Sequence, residues 1–380
     1  MYTVVSENYF GTVNVQSFGR GNNGVITAKA PGKLYIAGEY AVVETGRPAI
    51  VVAMNQFVTV TVEATKKYGS INSRQYQENS IYWRREGADM VFDNRDNPFH
   101  YILSAINLVE KYALECGKQL KLYSLGVDSD LDSVDGKKYG LGSSAAVTVA
   151  TVKALNTFYD LGMNSAQLYK MSAIAHLDVQ GNGSLGDIAA SVYGGWIAYR
   201  SFDKAWLASA RQSYSMGELL QMDWPQLDIE LLTAPAELRL LVGWTGSPAS
   251  TSRLVDKIAL AKVQRRDDYK QFLEDSEIVI DKMIAGFRQQ SLSVIQEGIQ
   301  TNRRLLDRLA DWSGVEIETK SLRRLREIAQ EFGGVGKFSG AGGGDCGIVI
   351  IDKHKAVNQL YERWSAEDIE PLQLRVHEIN

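Results

Sequence analysis

Residues 139–146 read Tyr-Gly-Leu-Gly-Ser-Ser-Ala-Ala and run directly into Val147-Thr148-Val149-Ala150-Thr151-Val152. Two glycines free the backbone, two hydroxyls follow, and an apolar helix takes over, so main-chain N–H groups can converge on an anion at the helix start. The junction predicts a phosphate-handling loop. A plain turn with an ordinary helix cap has the same composition, and the segment alone does not separate the two. Context excludes two other nucleotide loops. The spacing Gly140-x-Gly142-x-x-Ala145 fits the dinucleotide fingerprint, which needs a strand before it and a second strand after its helix. Here the charged stretch 132–138 comes before, and Leu161-Gly162-Met163-Asn164-Ser165 opens another helix. A Walker A loop needs Gly-Lys followed by Ser or Thr, and no Gly-Lys pair in the chain has that neighbour.

At 380 residues the chain is long enough for two domains, each with its own core. The pattern predicts an N-terminal extension over 1–24, a mixed β/α domain over 25–220 and an α+β domain over 221–380. A formal net charge of -4 argues against nucleic-acid and anionic-membrane surfaces, so an anionic small molecule must be met by locally gathered lysines and arginines. The two cysteines, Cys116 and Cys346, are too few for a disulfide framework and fit a reducing, cytoplasmic setting. No run of eighteen apolar residues predicts a membrane span, and 1–24 lacks the charged start and apolar centre of a signal peptide. A monomer or homodimer is the expected assembly.

Strands are predicted over 25–30, 49–64, 80–92, 119–128, 194–199, 238–244 and 346–351, with helices over 98–116, 143–159, 165–177, much of 254–332 and 356–366. A short polar stretch fills 222–235, and 333–344 reads as a loop. Four further segments carry candidate chemistry. In Lys29-Ala30-Pro31-Gly32-Lys33, the Pro-Gly pair predicts a turn that leaves Lys33 at the start of an apolar strand, where it is either a ligand cation or an edge-protecting lysine. Glu39, a few residues on, is a substrate contact or a structural partner. Asp187 follows the glycine-rich turn 181–186 and either faces a cleft or caps the next helix. Ser247, Ser250, Thr251 and Ser252 precede a helix whose first N–H groups favour an anion, or simply cap it. The run Gly340-Ala341-Gly342-Gly343-Gly344-Asp345 costs conformational entropy unless backbone must approach a ligand or another segment.

Taken in order, KAPGKLYIAGEY, YGLGSSAAV and SGAGGGDCGI resemble the GHMP kinase superfamily from about residue 25 onward. The forms GKKYGLGSSAAV, GWTGSPAS and GAGGGDC look like its bacterial branch that phosphorylates phosphomevalonate. The resemblance implies a two-domain α+β fold: a ribosomal-S5-domain-2-like N-terminal domain and a ferredoxin-like C-terminal domain, with ATP and acceptor between them. It implies ATP-dependent phosphoryl transfer to 5-phosphomevalonate, giving 5-diphosphomevalonate and ADP, with Mg²⁺. It assigns Lys33 and Asp187 as catalytic, and Lys137, Lys138, Gly140, Leu141, Gly142, Ser143, Ser144, Ala145 and Ala146 to the nucleotide, with Ser144 on the metal side. Around the acceptor it places Lys33, Tyr35, Glu39, Tyr40, Ser184, Ser250, Thr251, Ser252, Gly340, Ala341 and Gly342. One position departs from the pattern. Members that chelate magnesium with a glutamate carry it eleven residues before the aspartate, and here that residue is His176.

Overall fold

A computed structural model describes residues 24–73, 80–92, 98–131, 138–247 and 251–378, without the side chains of 251–253. The expected extension over 1–24 lies outside the described residues except for Gly24. No helix among the described residues is long and apolar enough to cross a membrane.

The framework of the first half is a hairpin of two long strands, β1 (Ile26–Ala37) and β2 (Pro48–Ala64). Their antiparallel register slips between Pro31 and Lys33. Proline has no N–H for the ladder, and a Cβ on Gly32 would stand 2.9 Å from the Leu141 carbonyl oxygen, so the strand bulges there. The turn expected at Pro31-Gly32 is thus a bulge inside one continuous strand, and Lys33 lies mid-strand. Around this hairpin β3 (Gly69–Ser73), β4 (Ile81–Glu86), β5 (Asp89–Phe92), β6 (Tyr123–Ser129), β7 (Trp196–Arg200) and β8 (Asp228–Leu232) complete an eight-stranded sheet, ordered β5-β4-β3-β6-β2-β7-β8 with β1 on β2.

Helices α1 (His100–Glu115), α2 (Ser143–Tyr159), α3 (Ser165–Gln180) and α4 (Gly186–Tyr193) pack together, with α2 and α4 against β1 and β2. The α2 helix is apolar nearly all round and buried, as a central core helix must be. Two short helices, α5 (Lys204–Ala210) and α6 (Met216–Gln221), follow β7. The strand β8 lies past residue 220, yet it pairs with β7 and belongs to the first sheet. The boundary expected at 220/221 therefore cuts through a unit that runs to Leu232.

In the second half, β9 (Leu238–Trp244), β10 (Val335–Phe338), β11 (Cys346–Asp352) and β12 (Glu370–Leu372) form an antiparallel sheet ordered β10-β11-β9-β12. The helices are α7 (Thr251–Gln264), α8 (Arg266–Arg288), α9 (Leu292–Ser313), α10 (Lys320–Glu331) and α11 (Asn358–Ser365). The first core continues into this half through Val242, Ile280, Phe287, Ile348 and Ile350, while Leu325, Ile328, Ile351 and Trp364 pack a separate cluster against α10 and α11. The segment 333–344, expected to be a loop, contains β10.

Beyond β12 the chain returns to the first sheet. Val376 bridges Met54, the His377 N–H donates to Ala53 O, and Gly195 N–H donates to His377 O.

Candidate active site

A cavity of about 590 Å³ is lined by β1, the starts of α1, α2 and α4, the end of α3, Val255 of α7, Ser339–Gly342 and Asp345. A second hollow, about 510 Å³ around Tyr68, Tyr82, Trp83 and Phe92, has Arg84 as its cation, and that guanidinium is paired with Glu86. Convergent polar groups belong to the first cavity.

The loop before α2 is built by glycine. Gly140 and Gly142 sit at φ 78° and 80°, in the left-handed region. A Cβ on Gly140 would stand 2.6 Å from the Asp345 carboxyl carbon, and one on Gly142 would stand 2.9 Å from Lys33 Cε. Gly142 is the N-cap residue of α2 and no side chain caps the helix. The ordinary capping alternative is therefore absent, and the first N–H groups of a buried helix are left for an anion. Leu141 is buried and its carbonyl accepts the Lys33 N–H at 2.8 Å, which locks the loop to β1. Ala145 and Ala146 are buried in the core, Ser143 and Ser144 line the cavity, and Lys138 stands exposed at its rim. Lys137 lies outside the described residues.

Ser144 Oγ is 3.2 Å from His176 Nε2. The His176 ring is buried and stacks on Tyr101 at 4.9 Å. Burial holds its pKa below the usual histidine range, with the Asp187 charge pulling the other way. The Tyr101 hydroxyl donates to Gln180 Oε1 at 3.4 Å, and burial followed by the Asp187 charge raises its phenol pKa.

The Lys33 ammonium donates to the Gly140 carbonyl at 3.3 Å and lies 5.6 Å from the Tyr35 ring centre. Asp187 is half-buried in the first turn of α4, and its Oδ1 accepts the Ile188 N–H at 2.9 Å. Asp187 thus supports its own helix and lines the cavity at once. Tyr35 O–H and Ser184 Oγ are 2.6 Å apart, and the Tyr199 hydroxyl donates to Ser184 O at 2.5 Å, so the turn before α4 is braced from below. Burial and then the Asp187 charge push the Tyr35 phenol well up.

Glu39 is almost fully buried and forms an ion pair with Lys337 of β10, which also donates to Phe338 O at 2.6 Å. Burial lowers the Lys337 pKa, against the opposing pull of Glu39. The structural-partner alternative for Glu39 is therefore realised: one carboxylate oxygen is taken by lysine and the other is enclosed, although the residue borders the cavity. The Tyr40 hydroxyl donates to Ala341 O at 2.5 Å, tying the first motif to the last. Gly342 at φ 74° has no space for a Cβ, which would stand 2.3 Å from Ile317 O, whereas Gly340 faces open space. Tyr40, Leu185 and Asp345 all have positive φ and all line this cavity, a clustering of backbone strain typical of functional sites. Ser250 and the side chains of Thr251 and Ser252 lie outside the described residues.

Tyr101, Leu185, Val255 and Ser339 also line the cavity and were not anticipated. On α1, Tyr101 looks like one more half-buried aromatic on an amphipathic helix, and only its packing against His176 brings it to the site. Among the described residues there is no group of three or more His, Cys, Asp or Glu able to hold a metal. The oxygen donors present, a Ser144 hydroxyl and an Asp187 carboxylate, suit a Mg²⁺ ion that keeps most of its ligands from phosphates and water.

The family models "GHMP kinases N terminal domain" and "GHMP kinases C terminal" match residues 100–195 and 283–369. A phosphomevalonate kinase from Streptomyces sp. (strain CL190) is 35% identical over 361 residues, covering 92% of this chain and 96% of that protein. A mevalonate kinase from Thermococcus gammatolerans is 28% identical over 343 residues, covering 84% and 87%. The Streptococcus pneumoniae phosphomevalonate kinase in complex with phosphomevalonate and AMPPNP superposes with a TM-score of 0.81 at 29% identity, covering 93% of this chain and all of that one.

Proposed function

The chain belongs to the GHMP kinase family, and from that premise we propose that it transfers the γ-phosphoryl group of ATP to 5-phosphomevalonate, releasing 5-diphosphomevalonate and ADP. The observation that carries this reading is 35% identity to a phosphomevalonate kinase across 92% of the chain. The cavity is chemically suited to it. Phosphoryl transfer asks a protein for positioning and charge neutralisation and for little covalent chemistry. The uncapped start of α2, with Ser143, Ser144 and Lys138, cradles the donor phosphates, and Tyr35, Tyr40, Ser184 and Gly340–Gly342 shape the acceptor side. Mg²⁺ arriving on the nucleotide would meet Ser144 and supply further neutralisation.

Lys33 has the decisive position. Its backbone is fixed to Leu141 and its ammonium to Gly140, so the cation stands beside the phosphate loop before substrate arrives. Two phosphates must approach each other, and their repulsion is the main obstacle that a preorganised cation offsets. A phosphomonoester has its second pKa at about 6 and is mostly dianionic at neutral pH. Asp187 therefore has no proton to remove, and its role is to orient the incoming oxygen from the first turn of α4. The proposal extends to a cytoplasmic setting, supported by the unpaired Cys116 and Cys346, and to a monomer or homodimer.

Coupled ADP-release assays with phosphomevalonate, mevalonate and homoserine in parallel test the acceptor. Turnover confined to phosphomevalonate is expected, and equal or faster turnover with mevalonate would refute the reading. Lys33→Met is expected to lose more rate than Asp187→Asn. If Asp187→Asn alone abolished turnover with both substrates still bound, the orienting role would be lost.

A further inference from the structure

Resting on the proposed transfer to a phosphate acceptor, we infer that Tyr35 is a positioning residue whose ring face holds the Lys33 ammonium beside the phosphate loop. The two residues are two apart on β1. Pairing with β2 is regular between them, Lys33 opposite Ala53 and Tyr35 opposite Val51, so both side chains leave the same face of the strand. The ammonium comes to 5.6 Å from the ring centre. At that range the electron-rich face of an aromatic ring attracts a cation.

The ammonium needs such a hold. Lysine ends in a point charge on a flexible four-carbon stem. Its one hydrogen bond among the described residues, to Gly140 O at 3.3 Å, is long for an N–H donor. Asp187 lines the same cavity, yet the two charges form no ion pair among the described residues. A lysine clamped by a carboxylate would be neutralised before any phosphate arrived, whereas a ring attracts the cation and leaves its net charge for the phosphates. The ring itself is fixed. Tyr35 is 9% exposed and its hydroxyl lies 2.6 Å from Ser184 Oγ. That hydroxyl also fills the space beside Gly186, where a Cβ would stand 2.7 Å from it. Burial and then the Asp187 charge keep the phenol protonated, so no negative charge sits on the ring.

A series of substitutions at residue 35 in the full chain, read as kcat and KM for ADP release, tests this. Tyr35→Phe keeps the ring without the hydroxyl and serves as the reference. Relative to it, Tyr35→Leu is expected to lose about tenfold in kcat, with both KM values within about twofold. Tyr35→Phe carrying one, two or three ring fluorines keeps the shape while draining electron density from the ring face, and log kcat should fall stepwise with fluorine count. In a Lys33→Met background the change from Tyr35→Phe to Tyr35→Leu should cost nothing further, because a residue that acts through Lys33 has nothing left to hold. A flat response to fluorination overturns the inference, and so does an equal loss from Tyr35→Leu with and without Lys33, which is what packing alone would give. Should Tyr35→Leu not fold, the fluorinated series decides the point. Running the series with mevalonate in parallel separates the two readings. A fluorine gradient seen with mevalonate alone refutes the acceptor and keeps the role of Tyr35, and turnover of phosphomevalonate without a gradient does the reverse.

Discussion

Replacing Lys153 with methionine separates stability from function in one step. Lys153 projects from the middle of α2 and is 8% exposed, and its ammonium donates to Ser191 O and Val192 O at 3.3 and 3.4 Å, near the end of α4. Burial pushes its pKa down to about 8 from an ordinary 10.5. That difference corresponds to about 3 kcal/mol against the charged form. The folded-state pKa lies below the unfolded one, so between about 8 and 10.5 the unfolded chain holds more protons and wild-type stability rises with pH. Methionine keeps the apolar stem and discards the charge. It forfeits two long hydrogen bonds worth about 0.5 kcal/mol each. The variant should be more stable than wild type by roughly 2 kcal/mol at pH 7. The advantage should shrink as pH rises from about 8 toward 10.5 and be gone before the amine is neutral in both states, about one unit above 10.5.

Urea unfolding followed by tryptophan fluorescence at several pH values measures this difference, provided the slope with denaturant is unchanged. Turnover should move the other way. The ammonium joins α2, whose start is the phosphate loop, to α4, whose start carries Asp187, and Ser191 in turn donates to Pro31 O at 2.8 Å beside Lys33. Loosening that link should reduce turnover by about tenfold through misplacement of the two helix starts. A stability difference that stays constant from pH 7 to 10.5 would refute the reasoning, because a buried charge cannot have a pH-independent cost across its own titration.

Gly140→Ala must place a Cβ against the Asp345 carboxyl at a left-handed φ, so activity should fall by about 100-fold or more while circular dichroism remains native. Lys337→Met leaves the buried Glu39 carboxylate uncompensated and should destabilise by about 3–5 kcal/mol in denaturant titrations, whereas Lys337→Met combined with Glu39→Leu should recover most of the loss. Burial, with a smaller contribution from the Lys153 charge, holds the His377 pKa below its ordinary range. The unfolded chain then binds more protons as pH drops below about 6.5, so stability should decline there. His377→Phe should shallow that slope in thermal melts, and an unchanged slope would exclude His377 as its source.

Much of the site was readable because it is local. Gly140 to Ala146 form a loop and a helix start whose purpose is written in adjacent residues, and Lys33 and Asp187 are each announced by flanking glycines. What was unreadable is long-range. Four-residue β10 hides because Gly336 and a lysine interrupt its apolar period, and Lys337 looks like a surface residue until Glu39, 298 positions away, is placed against it. The strand β8 is hard to see in a polar stretch because its five residues set two carboxylates among three apolar side chains, and Leu231 is exposed rather than buried. Pro31-Gly32 has turn chemistry in isolation, and only the hairpin partner β2 shows that the pair makes a bulge. Tyr101 reads as a core residue of its own helix, and His176 stands out in the sequence only as the residue found where the resemblance leads one to expect a glutamate. Their meaning comes from the crossing of α1 and α3 at the mouth of α2.

The return of the chain from β12 to the first sheet has a consequence for how the protein is made. Ala53 O accepts the His377 N–H and the Gly195 N–H donates to His377 O, so the hairpin that carries Lys33 is not fully bonded until residue 377 has been synthesised and has cleared the ribosome. The eight strands of the first sheet all lie within 26–232 and can pair early during translation, whereas the bridge to Met54 is added only after the second half has been made. Synthesis therefore runs ahead of assembly, and this late bridge falls on β2, directly beside the strand that carries Lys33.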